Sequence, residues 1–182
     1  MKSALIVYGT RTGTAAATAQ EIAEEFQRLG VEVKVADAKK EKVESIDQYD
    51  LVVVGSGIQM GKWTGEADSF LKRFRKELKE KSVALYVNCG SAAEAMNVGK
   101  PEVAANAREK YLEEKAARHG LTPVALGFFG AIYDFNRMPW IMRKGMEHER
   151  PKLAAAYRET APGVYDTRDL EGIKAWARGL VG

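Results

Sequence analysis

Five short apolar runs punctuate the chain, and each is followed by a stretch of a different kind. The runs are "SALIVYG" at 3–9, "VEVKVADA" at 31–38, "LVVVGSG" at 51–57, "SVALYVNCG" at 82–90 and "TPVALGFFGAIY" at 122–133. Several are apolar on both faces, which suits a strand covered above and below. Between them lie helical spacings. Ala19, Ile22, Ala23, Phe26 and Leu29 stripe residues 14–29, and Gly30 stops that helix. Ala67, Phe70, Leu71, Phe74 and Leu78 stripe residues 64–81, and a charged helix is expected at about 101–119. Leu170, Ile173, Trp176, Ala177 and Leu180 form a closing helix, with Asp166 or Thr167 as its expected N-cap. Alternation of this sort folds as a parallel sheet with helices on both faces: an α/β, doubly wound three-layer sandwich.

Composition narrows the class. The 182 residues are 46% hydrophobic and 29% charged, as in an ordinary globular protein. The chain carries one cysteine, Cys89, so no internal disulfide framework exists, which fits a reducing, cytoplasmic compartment. No apolar stretch reaches the ~18 residues of a membrane span, and the N-terminus reads as the first strand. The net charge of +3 comes without a lysine tail or arginine stripe, so nucleic acid is not an expected partner. No linker or repeat divides the chain, and residues 1–182 are expected to form one domain. Two stretches exceed the sheet's needs, about 88–100 and 134–165. Neither histidine has metal-ligand spacing. His119 is expected to favour a helix end, and His148 to lie on the surface.

The first strand-to-helix turn, "GTRTGTA" at 9–15, carries the chemistry. In an open parallel sheet, ligands sit outside the carboxyl ends of the strands, at the switch point beside the first strand. The helix that follows presents unpaired N–H groups and the positive end of its dipole. Gly9 and Gly13 allow close backbone approach, and Thr10, Thr12 and Thr14 add hydroxyls. These features make a nest for one phosphate; an N-capped turn with incidental threonines is the competing reading. No Gly-Lys-Ser/Thr follows to hold a triphosphate, and the spacing is not the G-x-G-x-x-G of dinucleotide sites.

With the five-strand alternation, "TRTGT" resembles the T-x-T-G-x-T phosphate loop of the flavodoxin family. The resemblance covers the whole chain and implies a five-stranded parallel sheet of order 2-1-3-4-5. It also implies flavin mononucleotide (FMN), held through Thr10, Arg11, Thr12, Gly13 and Thr14. The family's last hydroxyl position is Ala15 here, one hydrogen bond fewer. The second ring-holding loop would be "GSGIQMGKW", with Ser56, Gly57 and Ile58. Trp63 would pack on the isoalloxazine there; a tryptophan anchoring the next helix is the alternative. Backbone groups of Asn88, Cys89, Gly90 and Ser91 would line the pyrimidine edge.

Charge around those loops is mixed, Lys62 and Lys100 against Glu66, Glu94 and Glu102, without the strong negative field of low-potential shuttles. The insertion, "YDFNRMPWIMRKGMEHERPK", sets methionines and Trp140 among basic residues, an adaptable apolar surface tolerant of anions. A helix buried on the domain with a solvated basic face is the alternative. This run and the "TRTG" turn, with Gly9 in the serine place, resemble the menaquinone-dependent protoporphyrinogen oxidases, which are flavodoxin-like FMN enzymes. By that resemblance Arg137, Trp140 and Arg143 would meet an anionic tetrapyrrole or a redox partner. The expected function is an FMN-dependent oxidoreductase passing electrons to a quinone, with peripheral membrane contact and no transmembrane segment. The alternative is an electron-transfer protein docking on a redox partner. No resident metal is expected.

Overall fold

The structure is a computed structural model that describes residues 2–90 and 100–182. Strands β1 (Ser3–Gly9), β2 (Glu32–Asp37), β3 (Leu51–Gly57), β4 (Ser82–Asn88) and β5 (Ala125–Phe129) join in one parallel sheet. Their order is β2-β1-β3-β4-β5, as expected. Ile6 pairs with Val35 on one side and Val53 on the other, so the middle of β1 is enclosed within the sheet.

Alternate residues of each strand feed two cores. Leu5, Val7, Val54 and Leu85 point to the layer holding α2 (Gly65–Arg73), where Phe70 and Leu71 meet them. Ile6, Val53, Ala84 and Tyr86 point to the other layer. There α1 (Thr14–Arg28) supplies Ile22 and Phe26, and the last helix, α7 (Leu170–Val181), supplies Ile173 and Ala177. Burial of both sheet faces is what the apolar runs demanded.

Several boundaries differ from the sequence expectation. The helix at 64–81 ends at Arg73, and a 3-10 turn at Glu77–Glu80 follows. The tighter path buries both Phe74 and Leu78. The charged helix is α3 (Pro101–Arg108) and α4 (Glu114–His119), joined through a π turn at Glu109–Glu113. Helix α7 is capped by Asp169, whose carboxylate accepts from the Gly172 amide at 2.9 Å. Asp166 is instead paired with Arg168 at 2.7 Å, and the Thr167 hydroxyl donates to Ala131 at 2.9 Å.

The fifth apolar run breaks at Gly130. Its continuation, β6 (Ile132–Asp134), leaves the main sheet for a second, antiparallel one with β7 (Glu159–Ala161) and β8 (Val164–Asp166), in the order β6-β8-β7. Between β6 and β7 lie α5 (Trp140–Met146) and α6 (Arg150–Ala156). Tyr133, Phe135, Leu153 and Tyr165 form the small core of this insertion. Contacts from α1 and β4 tie it to the rest of the domain. The Thr14 hydroxyl accepts from the Ile132 amide at 3.2 Å, and Asn88 Nδ2 donates to the Gly130 carbonyl at 2.8 Å.

Candidate functional site

A cleft of about 280 Å³ opens at the carboxyl ends of β1, β3 and β4. Its walls come from Thr10, Arg11, Thr12 and Thr14, from Gly57 to Met60, from Asn88 and Gly90, and from Ile132, Tyr133 and three methionines of the insertion. A larger hollow of about 570 Å³ lies beside residues 38–43 and Arg73, but the predicted phosphate loop is not part of it.

The phosphate loop is shaped by backbone. Gly13 sits at φ 94°, ψ −11°, in the left-handed region, and its amide donates to Thr10 Oγ1 at 3.0 Å. No side chain caps α1, and its first turn holds no acidic residue. Among the described helices of eight or more residues, the other three each carry a carboxylate in that turn. The first-turn amides of α1 are therefore open to an anion. Arg11 is exposed and forms no ion pair among the described residues, while Thr12 lines the cleft.

Two loop residues have other tasks. Thr14 is buried, and its hydroxyl exchanges bonds with the Ile132 amide and carbonyl, so it anchors the insertion. The Ala15 methyl is fully buried in the α1 core with Ile6 and Ala19, outside the cleft lining. The Ala15 carbonyl accepts from the Tyr86 hydroxyl at 2.8 Å. Burial pushes the pKa of that phenol well up, so Tyr86 stays a neutral donor beneath the loop. A hydroxyl at position 15 would enter the core rather than the cleft. Ala15→Thr is therefore expected to lower stability by about 1–3 kcal/mol through overpacking, without tightening FMN. Chemical unfolding and flavin titration of that variant check both halves.

The second loop divides similarly. Gly57 and Ile58 line the cleft, and the Ile58 amide donates to the Asn88 carbonyl at 2.9 Å, joining the loops that follow β3 and β4. Gln59 and Lys62 exchange backbone bonds at 3.1 Å around a two-residue turn with Met60 at φ 50° and Gly61 at φ 72°. Met60, at the tip, is 94% exposed. Ser56 is buried; its hydroxyl accepts from the Thr64 amide at 2.9 Å and shapes the loop's exit. Trp63 is also buried, and its indole Nε1 donates to the Tyr111 carbonyl at 2.7 Å, in the π turn. It anchors a helix and does not line the cleft.

After β4, Asn88 and Gly90 reach the cleft. Cys89 is buried, and its amide is committed to the Phe129 carbonyl at 2.9 Å, so it is not available to a ligand. Ser91 lies outside the described residues. On the insertion, Arg137 stands beside Asp134 at 3.4 Å, Trp140 is 67% exposed, and Arg143 lines a separate surface hollow. None of the three faces the cleft. The residues that do are Met138, Met142 and Met146, and Gln59 Nε2 approaches Met142 Sδ at 3.8 Å. The four-residue spacing of Met142 and Met146 was the available signal, because on α5 it defines a single face, while Met138 joins them from the bend before Pro139.

A family model described as a flavodoxin domain matches residues 5–152. The chain belongs to the flavodoxin-domain family. Its fold is that of the FMN-binding flavodoxins, and the open α1 N-terminus, Arg11 and Thr12 fit an FMN phosphate. The protoporphyrinogen IX dehydrogenase (quinone) of Escherichia coli strain K12 is 29% identical over 82 residues, 45% of each chain. The strain O157:H7 protein gives the same figures, so the matched stretch spans under half the length of these curated relatives. Among solved structures, oxidised flavodoxin 1 of Bacillus cereus superposes with a TM-score of 0.58 at 18% identity, covering 99% of this chain and 97% of that one. Rubredoxin oxygen:oxidoreductase of Desulfovibrio gigas gives 0.54 at 16% identity, with 99% and 36% covered. At such identities the shared property is the fold. No helix among the described residues is long and apolar enough to cross a membrane.

Proposed function

We propose that this protein is an FMN-dependent oxidoreductase acting on an apolar, anionic substrate of the reduced-tetrapyrrole type, with a quinone as acceptor. The observation that carries this reading is the wall formed by Met138, Met142 and Met146 over the cleft. Methionine side chains are flexible and polarizable, so such a wall adapts to a large apolar ligand. The partial likeness to the quinone-linked protoporphyrinogen IX dehydrogenase supports the same substrate class.

In this reading the first-turn amides of Thr14 to Ala16, the Thr12 hydroxyl and Arg11 hold the phosphate, while Gly57, Ile58, Asn88 and Gly90 bound the ring. Bound FMN supplies the redox chemistry, accepting a pair of electrons and passing it on. The methionine wall excludes water and seats the apolar part of the substrate. Arg137 and Arg143, on the outer side, would meet carboxylates that project from the cleft, and Trp140 with Ile141 would make peripheral contact at a bilayer surface from the cytoplasmic side. The alternative, an electron-transfer protein, is favoured by one feature: the hairpin tip at Met60 leaves one rim of the cleft open to a docking partner.

Anaerobic incubation of the flavin-loaded protein with protoporphyrinogen and a menaquinone analogue, followed by porphyrin fluorescence, tests the proposal. Quinone-dependent porphyrin formation is the expected result. If FMN binds normally but no porphyrin forms, the electron-transfer reading replaces it.

A further inference from the structure

Beside the hairpin, two hollows of about 470 and 260 Å³ share Asp68, Lys115 and Arg118. Six cations line them: Lys62, Lys72, Arg75, Lys110, Lys115 and Arg118. Asp68 is the one carboxylate in that lining. The lining sums to +5, and Glu114, paired with Arg118 at 3.0 Å, brings the seam to +4, against +3 for the whole chain, which leaves −1 for all the rest. The basic character of this protein is thus concentrated along one groove.

The groove is rigidly built. Partial burial pushes the Asp68 carboxyl up, but Lys115 at 2.7 Å and Lys72 at 3.0 Å outweigh it and hold the group well below its usual range. His119 closes the base, 3.3 Å from Asp68, with burial pushing its imidazole down. Lys115 also lies over the Trp63 ring at 5.5 Å. Lys62 and Lys110, by contrast, are exposed and form no ion pair among the described residues. The position is as informative as the charge. Gly61 and Lys62 belong to the hairpin whose other half, Gln59 and Met60, walls the cleft.

We infer that this groove docks an acidic segment of a redox partner protein, bringing that partner to the rim of the cleft. A partner with patches of carboxylate fits a seam of +4 on a chain whose remaining charge is −1. A nucleic acid or an anionic bilayer, longer or broader than the seam, would also meet the neighbouring Glu109 and Glu113, whereas a short acidic peptide segment would not. The inference goes beyond the substrate assignment and depends on bound FMN only where electron transfer is measured.

The test compares the wild type with the double variant Lys62→Glu/Lys110→Glu and with a control, Lys39→Glu/Lys40→Glu, on the surface beside β2. The first probe is a fluorescent poly-L-glutamate peptide followed by anisotropy, which needs no flavin. The second is the rate at which a reduced, acidic plant-type ferredoxin reduces the flavin-loaded protein in stopped flow. The groove variant should weaken the peptide and slow the ferredoxin reaction by about ten-fold at low ionic strength. Both differences should shrink as salt is added, and the control should change neither by more than about two-fold. An equal effect from the control would reduce the result to net charge and overturn the proposal. So would an unaffected groove variant, tighter binding of inorganic triphosphate, stronger binding to phosphatidylglycerol vesicles, or a self-association that the variant abolishes. If the protein takes up no FMN, the flavin assignment fails while the peptide measurement still decides the groove.

Discussion

Replacing Gly13 with valine is expected to cost about 1–3 kcal/mol, divided between FMN affinity and protein stability. The cause is conformational. Gly13 sits at φ 94°, where a β-branched residue is strained, yet a Cβ built there meets nothing within 4 Å. A clash within the protein is therefore not the mechanism. If the valine loop relaxes in the free protein, the strain must be restored on binding, and FMN weakens by about five- to 150-fold. If it does not relax, the same energy appears as lost stability, and the midpoint of unfolding falls. Flavin titration and chemical unfolding of one variant measure the two shares, whose sum is the quantity predicted. Should both stay at wild-type values, the loop does not owe its shape to Gly13, and the phosphate assignment loses its basis. Gly13→Ala should show the same sign and a smaller effect.

The parts of the fold that were legible in the sequence are those where one physical demand dominates. Strands such as Val52–Val54 are buried on both faces and had to be apolar throughout. The phosphate loop was legible because glycine and threonine between a strand and a helix answer few other needs. Ala15 was placed in the cleft by the family pattern, although Ala15, Ala19, Ile22 and Phe26 share one helical stripe and all four are buried. Here the stripe was the better guide.

The misplaced residues depend on contacts distant in sequence. Trp63 turns inward because its indole N–H needs an acceptor once buried, and the nearest one is the carbonyl of Tyr111, 48 residues on. Nothing local to Trp63 encodes that π turn. His119 was expected only to favour a helix end, and Gly120 does cap that helix at φ 65°. Its burial against Asp68 depends on α2 and α4 lying side by side. Asp166 and Thr167 were reasonable caps for α7 until β6 returned to claim Thr167. Neighbouring elements used the same polar groups for a stronger purpose.

The methionine wall supports the largest functional prediction. Changing Met138, Met142 and Met146 together to glutamine keeps side-chain length and helix propensity, since glutamine and methionine rank alike in helices. It places amides where the proposed substrate presents only hydrocarbon, and each buried amide without a partner costs about 1–3 kcal/mol. Turnover of a reduced tetrapyrrole, as kcat/KM, is then expected to fall by about a hundred-fold or more. FMN affinity should fall far less than turnover, because the phosphate loop is untouched and a glutamine at 142 still offers Gln59 an acceptor. Leucine at the same three positions conserves volume and polarity and should keep most of the activity. An electron-transfer protein would behave otherwise: neither triple variant would alter its rate with a docked protein partner, since the wall would face no substrate. Glutamine and leucine variants that turn over the tetrapyrrole equally well would remove the wall from substrate recognition, and with it the observation on which the enzyme reading rests.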